Sequence, residues 1–217
     1  MGSSSDVVVG YKYFLGIHMV LGWTVDRISD IVVGDRSLID TNPGVFPITS
    51  SGTETINSPN LFGGDEREGG VQGRMSVSFG DVATPNAYLT SQLGSRVPAY
   101  RNVTSVISEK MHLTSMNPYI KPWMYKVRRT TTTTDGSAMW YSSAADIGGQ
   151  ANPAHIIYQV LTNSQWGMGY PTSAIDDTNF RAAADTFVTE GFGMWLKWSS
   201  SSKIRDVIAE VQRTVDC

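Results

Sequence analysis

The spacing of apolar residues changes along the chain, and this change limits the folds that the chain can adopt. Before residue 150 the clearest pattern is alternation of apolar and polar residues, seen in residues 74–79 and 121–129. Near the end, apolar residues recur every three or four positions, at Ile204, Val207, Ile208, Val211 and Val215. Side chains alternate between the two faces of a strand, whereas they return to one face of a helix every three or four residues. The sequence therefore predicts an α+β protein with strands first and helices last.

The β-rich part is predicted to contain a series of short strands. The first, residues 11–25, follows the valines 7–9 and is rich in aromatic and β-branched residues. Further strands are predicted at 28–33, 54–56, 74–79, 102–112 and 121–129, with a turn at Gly34-Asp35 and a short helix at 86–93. In the last strand, alternation places Trp123, Tyr125 and Val127 on one face. Residues 61–73 hold five glycines and four charges, a composition that predicts an exposed turn region.

Three helices and one strand are predicted in the last third. Asn152 is a suitable N-cap with Pro153 in the first turn, and a second helix starts at Asp176 or Asp177 and stops at Gly191. Residues 194–198 are predicted to form a strand, and Trp123 and Trp195 to lie in the core. Ser201 or Ser202 is predicted to cap the third helix. That helix runs to Cys217 without a stop signal, so we expect either a chain that continues or a fold that another element completes.

Charge and composition exclude several classes of function. The formal net charge is −3, and no Lys/Arg cluster suggests a nucleic-acid surface. The single cysteine, Cys217, permits no intrachain disulfide. No apolar run reaches the roughly 18 residues of a membrane span. We therefore expect a protein made in the cytoplasm, with no stable membrane insertion and no sequence-specific nucleic-acid binding.

The sequence lacks four common motifs of enzymes and metal sites. There is no HExxH, GxSxG, GxxxxGK[ST] or pair of CxxC motifs. The three histidines, His18, His112 and His155, lie in unrelated segments, and His155 is expected to be a partly buried structural residue. We expect no metal, no cofactor and no enzymatic activity.

The acidic stretch Asp65, Glu66, Arg67 and Glu68 lies between glycines. Its carboxylates have the oxygen ligands that Ca²⁺ prefers, and a carboxylate pair could serve a glycosidase. However, Arg67 lies among them, and the alternating oxygen ligands of a calcium loop are missing. We favour an exposed turn that contacts a neighbouring subunit. Six tryptophans leave open a sugar-stacking role, although Trp140 and Trp166 are more typical of protein contacts.

Five blocks of sequence resemble one family. They are residues 13–35 (YFLGIHMVLGWTVDRISDIVVGD), 59–70 (PNLFGGDEREGG), 117–123 (NPYIKPW), 152–169 (NPAHIIYQVLTNSQWGMG) and 176–193, which end in EGFG. In this order they are similar to the N-terminal region of tail-tip hub proteins of long-tailed bacteriophages, the family that includes the tip attachment protein of phage lambda. One departure is Gly22-Trp23, where the family is expected to carry a cysteine and a small polar turn.

The resemblance implies an architecture and a biological setting. Residues 1–150 would form a β-barrel-like tail-hub (tube) domain of antiparallel strands, with a loop insertion near 40–72. Residues 151–217 would form a helix-rich hub segment that continues beyond the given chain. The protein would be a homotrimer in the virion, made in the host cytoplasm, that joins the tail tube to a central tail fibre. It would take part in host attachment and DNA ejection, alongside the distal tail protein, other tail-tip proteins and the tape measure protein.

The same setting predicts where subunits meet. We expect Asp65, Glu66, Arg67 and Glu68, together with Trp166, Met168 and Tyr170, to contact neighbouring proteins, because both segments should be exposed yet carry distinctive side chains. Two alternatives belong to other classes. A tail-associated peptidoglycan hydrolase would use Asp65, Glu66 and Glu68, and a carbohydrate-binding module would line a groove with tryptophans.

Overall fold

The computed structural model describes residues 10–196, 198 and 203–215, which form two compact units. The first unit contains the described residues up to Arg129 together with Thr134–Gly136, and the second contains Thr130–Thr133 and the described residues from Ser137 onward. The boundary predicted between residues 150 and 151 lies inside the second unit. The chain is α+β with antiparallel sheets, as the change of hydrophobic period predicts.

Two antiparallel sheets make up most of the first unit. A four-stranded sheet has the order β1-β6-β5-β4, and a three-stranded sheet has the order β3-β2-β7. A short helix, α1, lies between β5 and β6 in the sequence. The bounds are β1 Lys12–Trp23, β2 Arg27–Val33, β3 Arg36–Ser37, β4 Gly52–Ser58, β5 Val71–Ser78, α1 Ala87–Leu93, β6 Val103–Ser115 and β7 Trp123–Arg128.

Both sheets bury side chains in one common core. Ile31 of β2 belongs to the same buried cluster as Met75 of β5 and Met111 of β6. Leu61 and Phe62 also pack against this cluster, so part of the turn region predicted to be exposed is anchored in the core. Among the described residues, the sheets do not close into a barrel. Between β2 and the segment before β4 there is an isolated bridge, Ile28 with Ile48, rather than a continuous ladder.

Helix α1 covers part of the other face of the larger sheet. Its N-cap, Asn86, accepts a hydrogen bond from the backbone N–H of Leu89 at 3.1 Å. Leu89 packs with Ile107 of β6 in a second buried cluster. On β1, a Cβ at Gly16 would lie 2.3 Å from the hydroxyl oxygen of Tyr88, so the glycine makes room for the helix.

The second unit contains a small hairpin and three helices. The hairpin pairs β8 with β9, and short 3₁₀ turns lie at Ser142–Ala144 and Thr172–Ala174. The predicted caps Asn152 and Asp176 are confirmed, and Gly191 ends a helix in the left-handed conformation with φ 67°. The bounds are β8 Asp146–Ile147, β9 Gln150–Ala151, α2 Pro153–Thr162, α3 Asp177–Glu190 and α4 Ile204–Thr214.

The region around residue 195 differs from prediction. Met194 forms a single bridge with Ala151 rather than part of a strand. Trp195 is 64% exposed and is therefore not a core residue. In α4, Val207 and Val211 are buried as the apolar stripe predicts. Helix α4 begins at Ile204, and Lys203 occupies its N-cap position without a side-chain cap hydrogen bond, so the predicted cap at Ser201 or Ser202 is wrong. The residues Val7–Val9, Lys197, Ser201, Ser202 and Cys217 lie outside the described part of the chain.

Among the described residues, none of the helices is both long and apolar enough to cross a bilayer.

Candidate interaction surface

The acidic loop is a short hairpin closed by two glycines. The backbone N–H of Gly64 donates to the carbonyl oxygen of Gly69 at 3.2 Å, and the N–H of Gly69 donates back to Gly64 at 2.8 Å. Both glycines have positive φ, 76° and 74°, a conformation that residues with a Cβ rarely adopt. This closure presents Asp65, Glu66, Arg67 and Glu68 together on one turn, and we call these four residues the charged tip.

Two ion pairs attach the charged tip to the rest of the unit. The ammonium of Lys12, at the start of β1, lies 2.7 Å from the Asp65 carboxylate. The ammonium of Lys121, just before β7, lies 2.6 Å from the Glu68 carboxylate. Exposed pairs of this kind contribute little free energy of folding each. Their effect is to hold the first and last side chains of the tip against lysine partners on neighbouring segments.

The Lys121 pair also sets the protonation of Glu68. Lys121 donates a hydrogen bond to the Glu68 carboxylate and attracts it electrostatically, and together these hold the pKa of that carboxyl below its ordinary value. The backbone carbonyl of Glu68 accepts from the N–H of Ser115 at 3.0 Å. The last residue of the tip is thus held to β6 through its backbone and to Lys121 through an ionised side chain.

The two middle residues of the tip face outward. Glu66 and Arg67 are both exposed. The aliphatic stem of Arg67 lies over Gly63, since a Cβ there would come within 2.7 Å of Arg67 Cδ. Within the part of the chain that the structure describes, neither the Glu66 carboxylate nor the Arg67 guanidinium has a polar partner. One negative and one positive group are left for an external contact.

Exposed apolar side chains flank the charged tip. The segment after β6 begins at Met116, whose N–H donates to the carbonyl oxygen of Tyr11 at 2.9 Å, so these two segments lie side by side. Tyr119 is 79% exposed in the same segment. Large apolar side chains exposed on neighbouring segments beside charged groups are typical of protein contacts. The exposed apolar residues of these neighbouring segments, here called the apolar flank, are Tyr11, Phe14, Met116, Tyr119 and Ile120.

The second predicted contact lies on a turn after α2. Asn163 holds this turn, because its side-chain oxygen accepts from the N–H of Gln165 at 2.9 Å and of Trp166 at 3.1 Å. Trp166, Met168 and Tyr170 are 41%, 44% and 47% exposed. Trp166 also meets Trp198 edge to face at 5.5 Å. The three predicted side chains are accessible on a turn fixed by backbone hydrogen bonds, and they belong to the second unit.

Trp140, expected to make a protein contact, packs inside the second unit. Its ring stacks on Tyr158 of α2 with centroids 4.2 Å apart, and its indole N–H donates to Asp177 of α3 at 2.6 Å. Hydrogen bonds from Arg181 and then from Trp140 hold the pKa of the Asp177 carboxyl below its ordinary value. Trp140 therefore joins the segment before β8 to two helices.

His155 lies beside this aromatic cluster. It is buried, and its Nε2 lies 3.0 Å from the carbonyl oxygen of Tyr141. Within the described residues, Nδ1 has no hydrogen-bond partner. Burial lowers the pKa of the imidazole despite opposing hydrogen bonds to backbone carbonyls. The expected structural role of His155 agrees with this setting, although burial is more complete than predicted.

Among the described residues there is no group of three or more His, Cys, Asp or Glu side chains that could hold a metal ion.

The structure joins separate blocks of the sequence in pairs. The Lys121–Glu68 pair links the block 117–123 to the block 59–70. In the second unit, the Asn152 side-chain amide donates to the carbonyl oxygen of Ala184 at 2.9 Å, which links the block 152–169 to the block 176–193. Compared with known proteins, the sequence matches no family model and has no significant match among curated proteins.

Several residues of this surface were not singled out from the sequence. Lys12 and Lys121 carry the ion pairs, and Tyr11 and Met116 belong to the apolar flank. The one available signal was the block 117–123, which contains Lys121. Composition alone does not distinguish these lysines from other exposed ones.

Proposed function

We propose that the chain is a structural component of a bacteriophage tail tip, a hub that assembles as a trimer. The charged tip and its apolar flank carry this proposal. Glu66 and Arg67 are exposed on a loop that hydrogen bonds and ion pairs hold in place, and exposed aromatic side chains lie on neighbouring segments. This arrangement suits protein–protein contact. In this role the trimer would connect the tail tube to a central fibre and close the channel until DNA is ejected.

The family resemblance is the basis for proposing phage tail proteins as the partners of this surface. Two resembling blocks form the charged tip and the segment beside it, and two others pack together in the second unit. The partners proposed on this basis are the distal tail protein, the tail tube, the tape measure protein, other tail-tip proteins and the central fibre. The Trp166 turn is proposed as a further contact with one of these neighbours.

The charges of the tip favour assembly over hydrolysis. A glycosidase needs a general acid whose pKa is raised so that it is protonated near neutral pH. Lys121 instead lowers the pKa of Glu68, and Lys12 forms an ion pair with Asp65. Only Glu66 of the three carboxylates faces outward without a cationic partner among the described residues. The proposal therefore assigns Glu66 to a contact and not to acid catalysis.

Antibody labelling of tailed particles tests the proposed location. An antibody raised against the folded chain should label one end of the tail in electron micrographs, at the end away from the head. Label along the tube or on the head would contradict the proposal. Peptidoglycan turnover by the purified chain that is lost in Glu66→Gln would support the hydrolase instead.

A further inference from the structure

We propose that the charged tip binds the charged tip of a second copy of this chain, with Glu66 of one copy paired to Arg67 of the next. This inference rests on the proposed function, because it names the partner of the surface through which the trimer would assemble. It assigns the contact to a single occupant, another copy, rather than to a different tail protein.

Charge balance points to a second copy. The tip and its two lysines contain three negative groups, on Asp65, Glu66 and Glu68, and three positive groups, on Arg67, Lys12 and Lys121. Such a surface has no net attraction for a strongly acidic or strongly basic partner. Its alternating signs allow it to match a copy of itself without net repulsion.

The positions of the two free charges suit a repeating contact. Glu66 and Arg67 are adjacent in sequence, opposite in sign and exposed. In a head-to-tail ring with the tips near its axis, each tip would present Glu66 to one neighbour and Arg67 to the other. The carboxylate of one copy can then meet the guanidinium of the next at every interface, and no charge is left over when the ring closes.

The tip is held in shape before any partner arrives. The Gly64–Gly69 hydrogen bonds fix its base, while the Asp65–Lys12 and Glu68–Lys121 pairs fix its two ends. A loop that is already ordered loses less conformational entropy on binding. The adjacent apolar flank would supply apolar area for the same contact.

Charge reversal tests the pairing. The oligomeric state of the full chain would be measured by sedimentation equilibrium for four proteins: wild type, Glu66→Arg, Arg67→Glu and the double swap. Each single reversal places like charges opposite each other at every interface, so we expect the association constant to fall at least ~10-fold. The double swap restores opposite charges and should return the constant to within ~3-fold of wild type. Moderate salt should weaken the wild-type association because exposed charges are screened.

Matched controls separate the pairing from a general effect of charge. Arg96→Glu and Asp81→Arg make the same charge changes at exposed positions of the first unit, in the segment between the end of β5 and the start of β6, and should leave association unchanged. Far-ultraviolet circular dichroism checks that each variant is folded. If a reversal does not fold, Glu66→Gln and Arg67→Gln take its place and should each weaken association.

The outcomes distinguish this inference from the proposed function. A wild-type chain that stays monomeric at all concentrations would contradict both. A wild-type trimer that neither single reversal weakens would overturn the tip pairing while leaving the trimer in place. Two weakened single variants without recovery in the double swap would also overturn it, because the two charges would then act on different partners.

Discussion

Replacing Asn152 by alanine should destabilise the second unit more than the loss of an ordinary helix cap. Asn152 is fully buried, and its amide donates to the carbonyl oxygens of Ala144 and Ala184, both at 2.9 Å. Its side-chain oxygen also caps α2 by accepting from the N–H of Ala154 at 3.0 Å. One residue thus joins three parts of the unit.

The expected loss follows from these three hydrogen bonds. The cap contributes about 1 kcal/mol. The two bonds to buried carbonyls contribute about 1 kcal/mol each, because alanine leaves both acceptors without this donor. We therefore expect Asn152→Ala to lower the free energy of unfolding by about 3 kcal/mol. The assay is urea denaturation followed by far-ultraviolet circular dichroism and tryptophan fluorescence.

Asp176→Ala is the matched control. Asp176 caps α3 in the same unit, accepts from the N–H of Asn179 at 3.1 Å and is exposed. Its loss should cost about 1 kcal/mol, the ordinary value of a cap. If Asn152→Ala costs no more than Asp176→Ala, the buried amide does not hold the unit together and this account of its packing is incorrect.

Three further predictions concern protonation and packing. Burial lowers the pKa of His155 below 6.5, so folding opposes its protonation and the wild type should lose stability as the pH falls below about 6.5. The variant His155→Gln should lose less stability than the wild type between pH 7.5 and pH 5.5, as measured by urea denaturation at each pH. Equal losses in the two proteins would refute this prediction. Gly70→Ala should lower the free energy of unfolding by about 2 kcal/mol, because the new Cβ would lie 2.0 Å from the backbone carbonyl oxygen of Ser58. Gly44→Ala is the control: the space around its Cβ is open, so the free energy of unfolding should not fall. Lys121→Met should raise the pKa of Glu68 toward its ordinary value in a carboxyl ¹³C NMR titration; an unchanged pKa would show that the pair does not form in solution.

The elements that could be predicted from the sequence are those with strong local signals. Caps and stop residues identified α2 and α3, and β-branched runs identified β1 and β2. The start of β5 was placed too late, at residue 74 instead of Val71. The reason is Gly73, with φ 138°, where a Cβ would lie 2.9 Å from Met111 Cγ. This glycine serves a close strand contact rather than a loop.

The predicted face of a strand residue is wrong where the strand register shifts. Trp123 and Tyr125 pack against the core as alternation predicts, but Val127 is exposed. The pairing of β2 with β7 is irregular between Ile28 and Asp30, close to the position that pairs with Val127. A bulge of this kind redirects side chains without changing the local sequence pattern. Such a shift depends on the partner strand and is not visible in one segment alone.

The candidate site was predicted only in part for a similar reason. The charged residues of the tip were identified because glycines surround them. Their lysine partners depend on tertiary structure, since Lys121 and Glu68 are 53 residues apart. The pairing of β1 with β6 brings Lys12 and Ser115 together, and Ser115 in turn binds the backbone of Glu68. Long-range register thus decides which two tip charges remain free.

A reconstruction of the intact tail tip by electron cryomicroscopy tests the central claim most directly. It should contain three copies of this chain around the tail axis, with the charged tips and apolar flanks buried between protein subunits. A different number of copies, or charged tips that face solvent on every copy, would contradict the account.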